Sequence, residues 1–182
     1  MFIQNDINSS PLSTAFHEAG HVLIHEIFDW PYIDVSVTEA GKEGVNYSYP
    51  DPKPNSPDTD KLIYACVCCA GAVAEDKFKF GHDAPKENLG ASLIAGYGYF
   101  GSDATKFQEL RLPAGTLENI LEITADIVLE NWEAVSNIAQ IINEQKHVCS
   151  EDIHKLLNET SFRKDTEQYL QRLIDVLKSF GG

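Results

Sequence analysis

A chain of 182 residues that is 43% hydrophobic and 23% charged has the size and usage of one globular domain, expected to span 1–182 with a buried core of its own. Its 28 acidic against 14 basic residues give a formal charge of −14, and its basic residues form no cluster interleaved with aromatics, which argues against nucleic acid as a partner. No run approaches the roughly twenty apolar residues that cross a bilayer, and a start with Asp6 and no basic residue is unlike a signal peptide, so the expectation is a cytoplasmic protein with no membrane partner.

In chain order, Ser10-Pro11 reads as a helix cap followed by proline at the first helical position, and Asp29-Trp30-Pro31 ends the pattern. Between them Leu12, Phe16, Ala19, Leu23 and Ile27 recur at helical spacing, with His17 and His21 on the neighbouring stripe beside Ile24 and Phe28. Ile33, Val35 and Val37, and then Val45, Tyr47 and Tyr49, alternate with polar residues about a turn at Gly41 to Gly44, which predicts a hairpin or part of a small sheet. Four prolines between Pro50 and Pro57 exclude regular structure there. The segment near 57 to 80 is apolar all round its middle and predicts a buried helix, whose Ala70, Gly71, Ala72 and Ala74 would let the first helix come close. Cys66, Cys68 and Cys69 lie in this helix without a second pair to complete a tetrahedral site, and read as packing residues. Gly81 to Gly101 predicts a long connection with one short helix around Leu89 to Ala95. Ser102-Asp103 opens a helix, an amphipathic pattern from Leu117 to Ile142 predicts one helix of about thirty residues, Ser150 caps a shorter one, and Phe162 to Phe180 predicts a last amphipathic segment. The fold class is therefore mainly α with a small β-hairpin or sheet.

The chemistry is concentrated in His17-Glu18-Ala19-Gly20-His21. Residues four apart on a helix share a face about one turn apart, so the two imidazoles can aim at one point and hold one metal ion. Glu18 stands beside that face, where a carboxylate can take a proton from metal-activated water without being a ligand. The pattern proposes a zinc hydrolase, with Zn2+ as its cofactor. His25 continues the row but lies about 12 Å along the axis from His17, too far to share an ion. The glycine turn and later histidine of metzincins are absent.

From Ser13 to roughly Asn158 the chain resembles the peptidase domain of FtsH-type ATP-dependent zinc metalloproteases. The likeness rests on Thr14 to His21, the hairpin that follows, Ala70-Gly71-Ala72-Val73-Ala74-Glu75-Asp76, Gly101-Ser102-Asp103, and Glu130 to Val135 followed by Ser150 to Leu157. It implies a zincin-like helical peptidase domain, divided into a zinc-site half (1–112) and a C-terminal helical part (113–182). It also implies Asp103 as the third metal ligand, although an acid at a helix start equally suits the exposed amides there. Glu75 is then a substitute ligand or the acceptor for an imidazole N–H. The implied activity is zinc-dependent hydrolysis of a peptide or unfolded protein, with Glu18 as general base. The family's phosphate-binding loop and membrane helices are not found in this sequence, so the expectation is a stand-alone peptidase, with an ATPase or regulator in trans and a homo-oligomer as possible partners. The alternative is a zinc-stabilised helical module that binds a protein without cutting it. The Val45 to Tyr49 strand, as an exposed edge, could hold an extended peptide.

Overall fold

The computed structural model describes residues 10–37, 43–47, 51–81, 85–91, 93 and 102–180. Helix α1 (Pro11–Ile27) starts as its sequence requires: the Ser13 N–H donates to Ser10 Oγ at 3.1 Å, and Pro11 stands where no amide is needed. It ends at Phe28, followed by Asp29 with φ 51°, and the reversal delivers the chain to strand β1 (Tyr32–Val37). Strand β2 (Glu43–Tyr47) pairs antiparallel with β1, Val35 opposite Val45. A third strand, β3 (His147–Cys149), pairs on the other side of β1, Val35 opposite Val148, so the sheet order is β2-β1-β3. Three residues are too short to show alternation, which is why periodicity passes over β3.

Helix α2 (Asp58–Phe80) lies across α1 as its small residues allow. At Gly20 an added Cβ would fall 2.3 Å from the Ala70 carbonyl oxygen and 2.9 Å from the Ala74 methyl, so the backbones touch where side chains are missing. A 3-10 turn (Lys86–Asn88) follows, then α3 (Ser102–Glu109), α4 (Thr116–Glu130), α5 (Trp132–Gln145), α6 (Ser150–Asn158) and α7 (Thr166–Phe180). The architecture is mainly helical with a small antiparallel sheet. Its core runs between α1, α2, α4 and α5, with Leu23, Ile24, Leu62, Ile127 and Ile138 fully buried. Helix α7 packs on α4 and α2 and places Tyr169 and Leu173 in the same core. Among the described residues no helix is long and apolar enough to cross a membrane.

Three expectations are corrected. The thirty-residue helix is two helices, α4 and α5, broken at Asn131, which takes φ −116° and ψ 26°. Its buried side chain turns back on the chain: Nδ2 donates to the Ile127 carbonyl at 3.0 Å, and Oδ1 accepts the Arg163 N–H at 2.8 Å. The apolar period survives the break, so periodicity alone reads through it. Ser150 is not the cap of α6 but its first residue; β3 runs straight into the helix, and Cys149, still extended at φ −80° and ψ 159°, holds the cap position. Leu12 is 36% exposed, one turn outside the buried stripe of α1. Of the helix expected from Leu89 to Ala95, Ala91 and Leu93 are helical, and residues 92, 94 and 95 lie outside the described set, as do the turn residues 41 and 42 and Tyr49.

Candidate metal centre

Helix α1 presents His17 and His21 toward α2, and the N-terminal turn of α3 brings Asp103 to the same point. Each of their three facing atoms is within about one ligand-to-ligand spacing of the others. His17 Nε2 lies 3.1 Å from His21 Nε2 and 3.1 Å from Asp103 Oδ2, and His21 Nε2 lies 3.3 Å from Asp103 Oδ2. For ligand atoms about 2.0–2.1 Å from a tetrahedral zinc, geometry places neighbours roughly 3.3 Å apart. The observed triangle is close to that size.

The far side of each imidazole is committed to a different partner. His21 Nδ1–H donates to the Val67 carbonyl at 2.7 Å, and a carbonyl can only accept, so the proton sits on Nδ1 and the Nε2 lone pair faces the triangle. His17 Nδ1 faces Glu75 Oε2 at 3.4 Å. Glu75 therefore stands behind His17 rather than among the three converging atoms, which are drawn from His17, His21 and Asp103. His25 does not join them: its Nδ1–H donates to the Trp30 carbonyl at 2.8 Å, at the other end of α1.

Gly71 leaves room beside the converging nitrogens. A Cβ at this position would lie 2.6 Å from both His17 Nε2 and His21 Nε2, in the space onto which the two nitrogens converge. With carbonyl and carboxylate behind the rings, two Nε2 atoms and a carboxylate oxygen converging in front and a missing side chain beside them, these residues fit a zinc ion.

The electrostatics follow from the crowding of two imidazoles against carboxylates. Burial works against charge on His17, but the carboxylates of Asp103, Glu75 and Glu18 outweigh it and raise the imidazole to about 10. Burial likewise opposes ionisation of Asp103, yet the facing His21 and His17 hold its carboxyl well below the usual range. Glu75 is brought down to about 2 against its burial by hydrogen bonds from His17, Lys79 and Ser13. Glu18 is buried within α1, one residue from His17. The three cysteines of α2 are buried free thiols, and burial pushes the Cys66 thiol up to about 12, far from the thiolate that metal binding or redox chemistry needs.

Sequence reasoning named the converging residues but read Gly71 only as a packing residue and gave no site role to Ser13 or Val67. A glycine beside three alanines signalled close helix packing, and only the crossing geometry shows which atoms it makes room for. The chain matches no protein-family model and no curated protein.

Proposed function

We propose that this chain hydrolyses peptide bonds at a zinc ion held by His17, His21 and Asp103, with Glu18 as the general base. The observation that carries the reading is the triangle of Nε2, Nε2 and Oδ2, close to the spacing of zinc ligands, with Glu18 the next residue to His17 on the same helix. A zinc ion serving structure alone needs no such carboxylate, and four protein ligands would close it, whereas three leave one position open. The likeness of the motif order to FtsH-type peptidase domains supports the same activity.

When bound, zinc supplies a water acidified toward neutral pH and polarises the carbonyl that is attacked. The rest belongs to the protein. The Glu18 carboxylate accepts the proton on an Oε atom and returns it to the nitrogen of the departing amine. Asp103 and the two histidines would hold the ion, and the missing side chain at Gly71 leaves room beside their nitrogens. Val67 and Glu75 hold the imidazole rings in register from behind. Among the described residues β2 pairs with β1 alone, and both strands pack against α1, so the other edge of β2 would offer main-chain groups to an extended peptide. Such an edge suits unfolded or locally opened chains as substrates.

The test is a comparison of zinc-loaded wild type with Glu18→Gln on unfolded casein. Wild type is expected to take up one zinc per chain and cleave, and Glu18→Gln to keep the zinc and lose cleavage by about a hundredfold or more. Failure of wild type to bind zinc after reconstitution would sink the reading. Zinc uptake without cleavage, and a Glu18→Gln variant that matches wild type in capturing a protein partner, would favour the zinc-stabilised binding module. Cleavage that needs an added ATPase would place the driving motor on a separate chain.

A further inference from the structure

The Glu75 side chain behind His17 is itself held from two directions. Ser13, fully buried and one helical turn before His17 on α1, donates from Oγ to Glu75 Oε1 at 2.7 Å. Lys79, one turn beyond Glu75 on α2, brings Nζ to the same oxygen at 2.6 Å. Both donors take Oε1, and Oε2 is left to face His17 Nδ1 at 3.4 Å. The Glu75 carboxylate joins the two helices, meeting Ser13 and His17, four apart on α1, and Lys79, four residues on along α2.

A glutamate carries three rotatable bonds, and a free carboxylate next to a metal site can swing away from the imidazole or toward the ion as a competing ligand. The short contacts to Ser13 and Lys79 remove that freedom before His17 is engaged. We propose that Ser13 and Lys79 are positioning residues for the metal centre: they lock Glu75 so that its second oxygen holds the His17 Nδ1–H and turns Nε2 toward the ion. Neither touches the ion or the substrate. This inference rests on the zinc reading above and adds a supporting layer to it.

The experiment measures zinc affinity of the full chain by competition with a chromophoric chelator, together with the visible spectrum of the cobalt-substituted protein, for wild type, Ser13→Ala, Lys79→Met and Lys79→Arg. Loss of a partner behind a ligating histidine weakens metal binding by about 10–100-fold. Ser13→Ala is expected near tenfold, Lys79→Met somewhat less, and Lys79→Arg, which keeps a cationic donor, within about twofold of wild type. The cobalt bands of Ser13→Ala and Lys79→Met are expected to shift, which a loss of stability alone would not produce. Lys79 is partly exposed, so its variants test the idea even if Ser13→Ala folds poorly. Ser13→Ala and Lys79→Met proteins that bind zinc as tightly as wild type, with unchanged cobalt spectra, would overturn the positioning role and leave the zinc site standing. A wild type that binds no zinc would overturn both.

Discussion

Helix α1 carries three histidines in one row, and its two ends treat them in opposite ways. At the N-terminal half His17 sits among three carboxylates, which together outweigh its burial and raise it to about 10. Two turns on, His25 is almost completely buried, its strongest partner is the uncharged Trp30 carbonyl, and it is lowered to about 4. Beside it Glu26 is pushed up by burial, only partly offset by the Tyr32 hydroxyl at 2.7 Å and His154 Nε2 at 3.0 Å. Residue type and helical position are shared. What differs is the neighbour brought by another element: a carboxylate from α3 or α2 makes an imidazole into half of an ion pair, and a carbonyl makes it a fixed neutral donor. The row is a candidate metal site at one end and a structural joint to β1 and α6 at the other.

The sharpest way to break this contrast is to fill the space that distinguishes the two ends. Gly71→Ala puts a methyl 2.6 Å from both converging nitrogens and forces the rings apart. Since losing a mere supporting partner costs up to about a hundredfold, losing the ligand geometry is expected to cost at least about a hundredfold in zinc affinity, with helix content retained. Gly20→Ala, on α1 between the two histidines, collides with the Ala70 carbonyl instead. It is expected to lower stability by about 1–3 kcal/mol while zinc stoichiometry stays at one per chain. Equal zinc loss in both variants, measured by chelator competition, would mean that Gly71 acts through packing and not through the ion's space.

Acid and alkali separate the histidines next. The folded value of His25, about 4, lies below its ordinary 6.5, so between these the unfolded chain binds more protons and stability falls as the pH drops from 6.5 toward 4. The full swing is about 3 kcal/mol for this buried ring, and His25→Gln is expected to flatten that limb of urea titrations. His17 has the opposite sign. In zinc-free protein its folded value of about 10 exceeds 6.5, so its contribution is complete below 6.5 and is lost as the pH rises through about 10. The buried thiols also destabilise the fold in alkali, but Cys66 does so only from about 9 to 12, so the decline between 6.5 and 9 belongs to the imidazole. His17→Gln should remove that early decline, while the His25→Gln variant keeps it. A variant pair that moves the same limb would erase the contrast.

Much of this was legible in the sequence, for a physical reason. His17, Glu18 and His21 are related by one helix, so spacing alone fixes their mutual geometry, and Ser10-Pro11 fixes where that helix begins. The small-residue run of α2 announced a close helix crossing. Asp103 could be named only through a family resemblance, because its approach depends on a connection of more than twenty residues that no periodicity describes. Gly71 and Val67 were illegible for the same reason: their roles come from how α2 is rotated against α1. Asn131 was missed because helix-breaking there comes from a side chain folding onto its own backbone and onto Arg163, thirty-two residues away, while the apolar pattern continues.

The smallest effects test whether the two ends of α1 are independent. Tyr32 is buried, and Tyr32→Phe withdraws a donor from the buried Glu26 carboxylate, an expected loss of about 1.5 kcal/mol. His154 is more than half exposed, so its ion pair with the same carboxylate is screened by solvent, and His154→Ala should cost no more than about 0.5 kcal/mol. Glu26 stands nine residues beyond His17, roughly 13 Å along the helix. At that separation substitutions with no shared partner add within about 0.5 kcal/mol. Tyr32→Phe combined with Gly71→Ala should therefore show the sum of the single stability changes, and Tyr32→Phe alone should bind zinc as wild type does. A zinc affinity lowered tenfold by Tyr32→Phe would mean that the joint to β1 and α6 sets the pitch of the metal helix, and that the row of histidines acts as one unit rather than two.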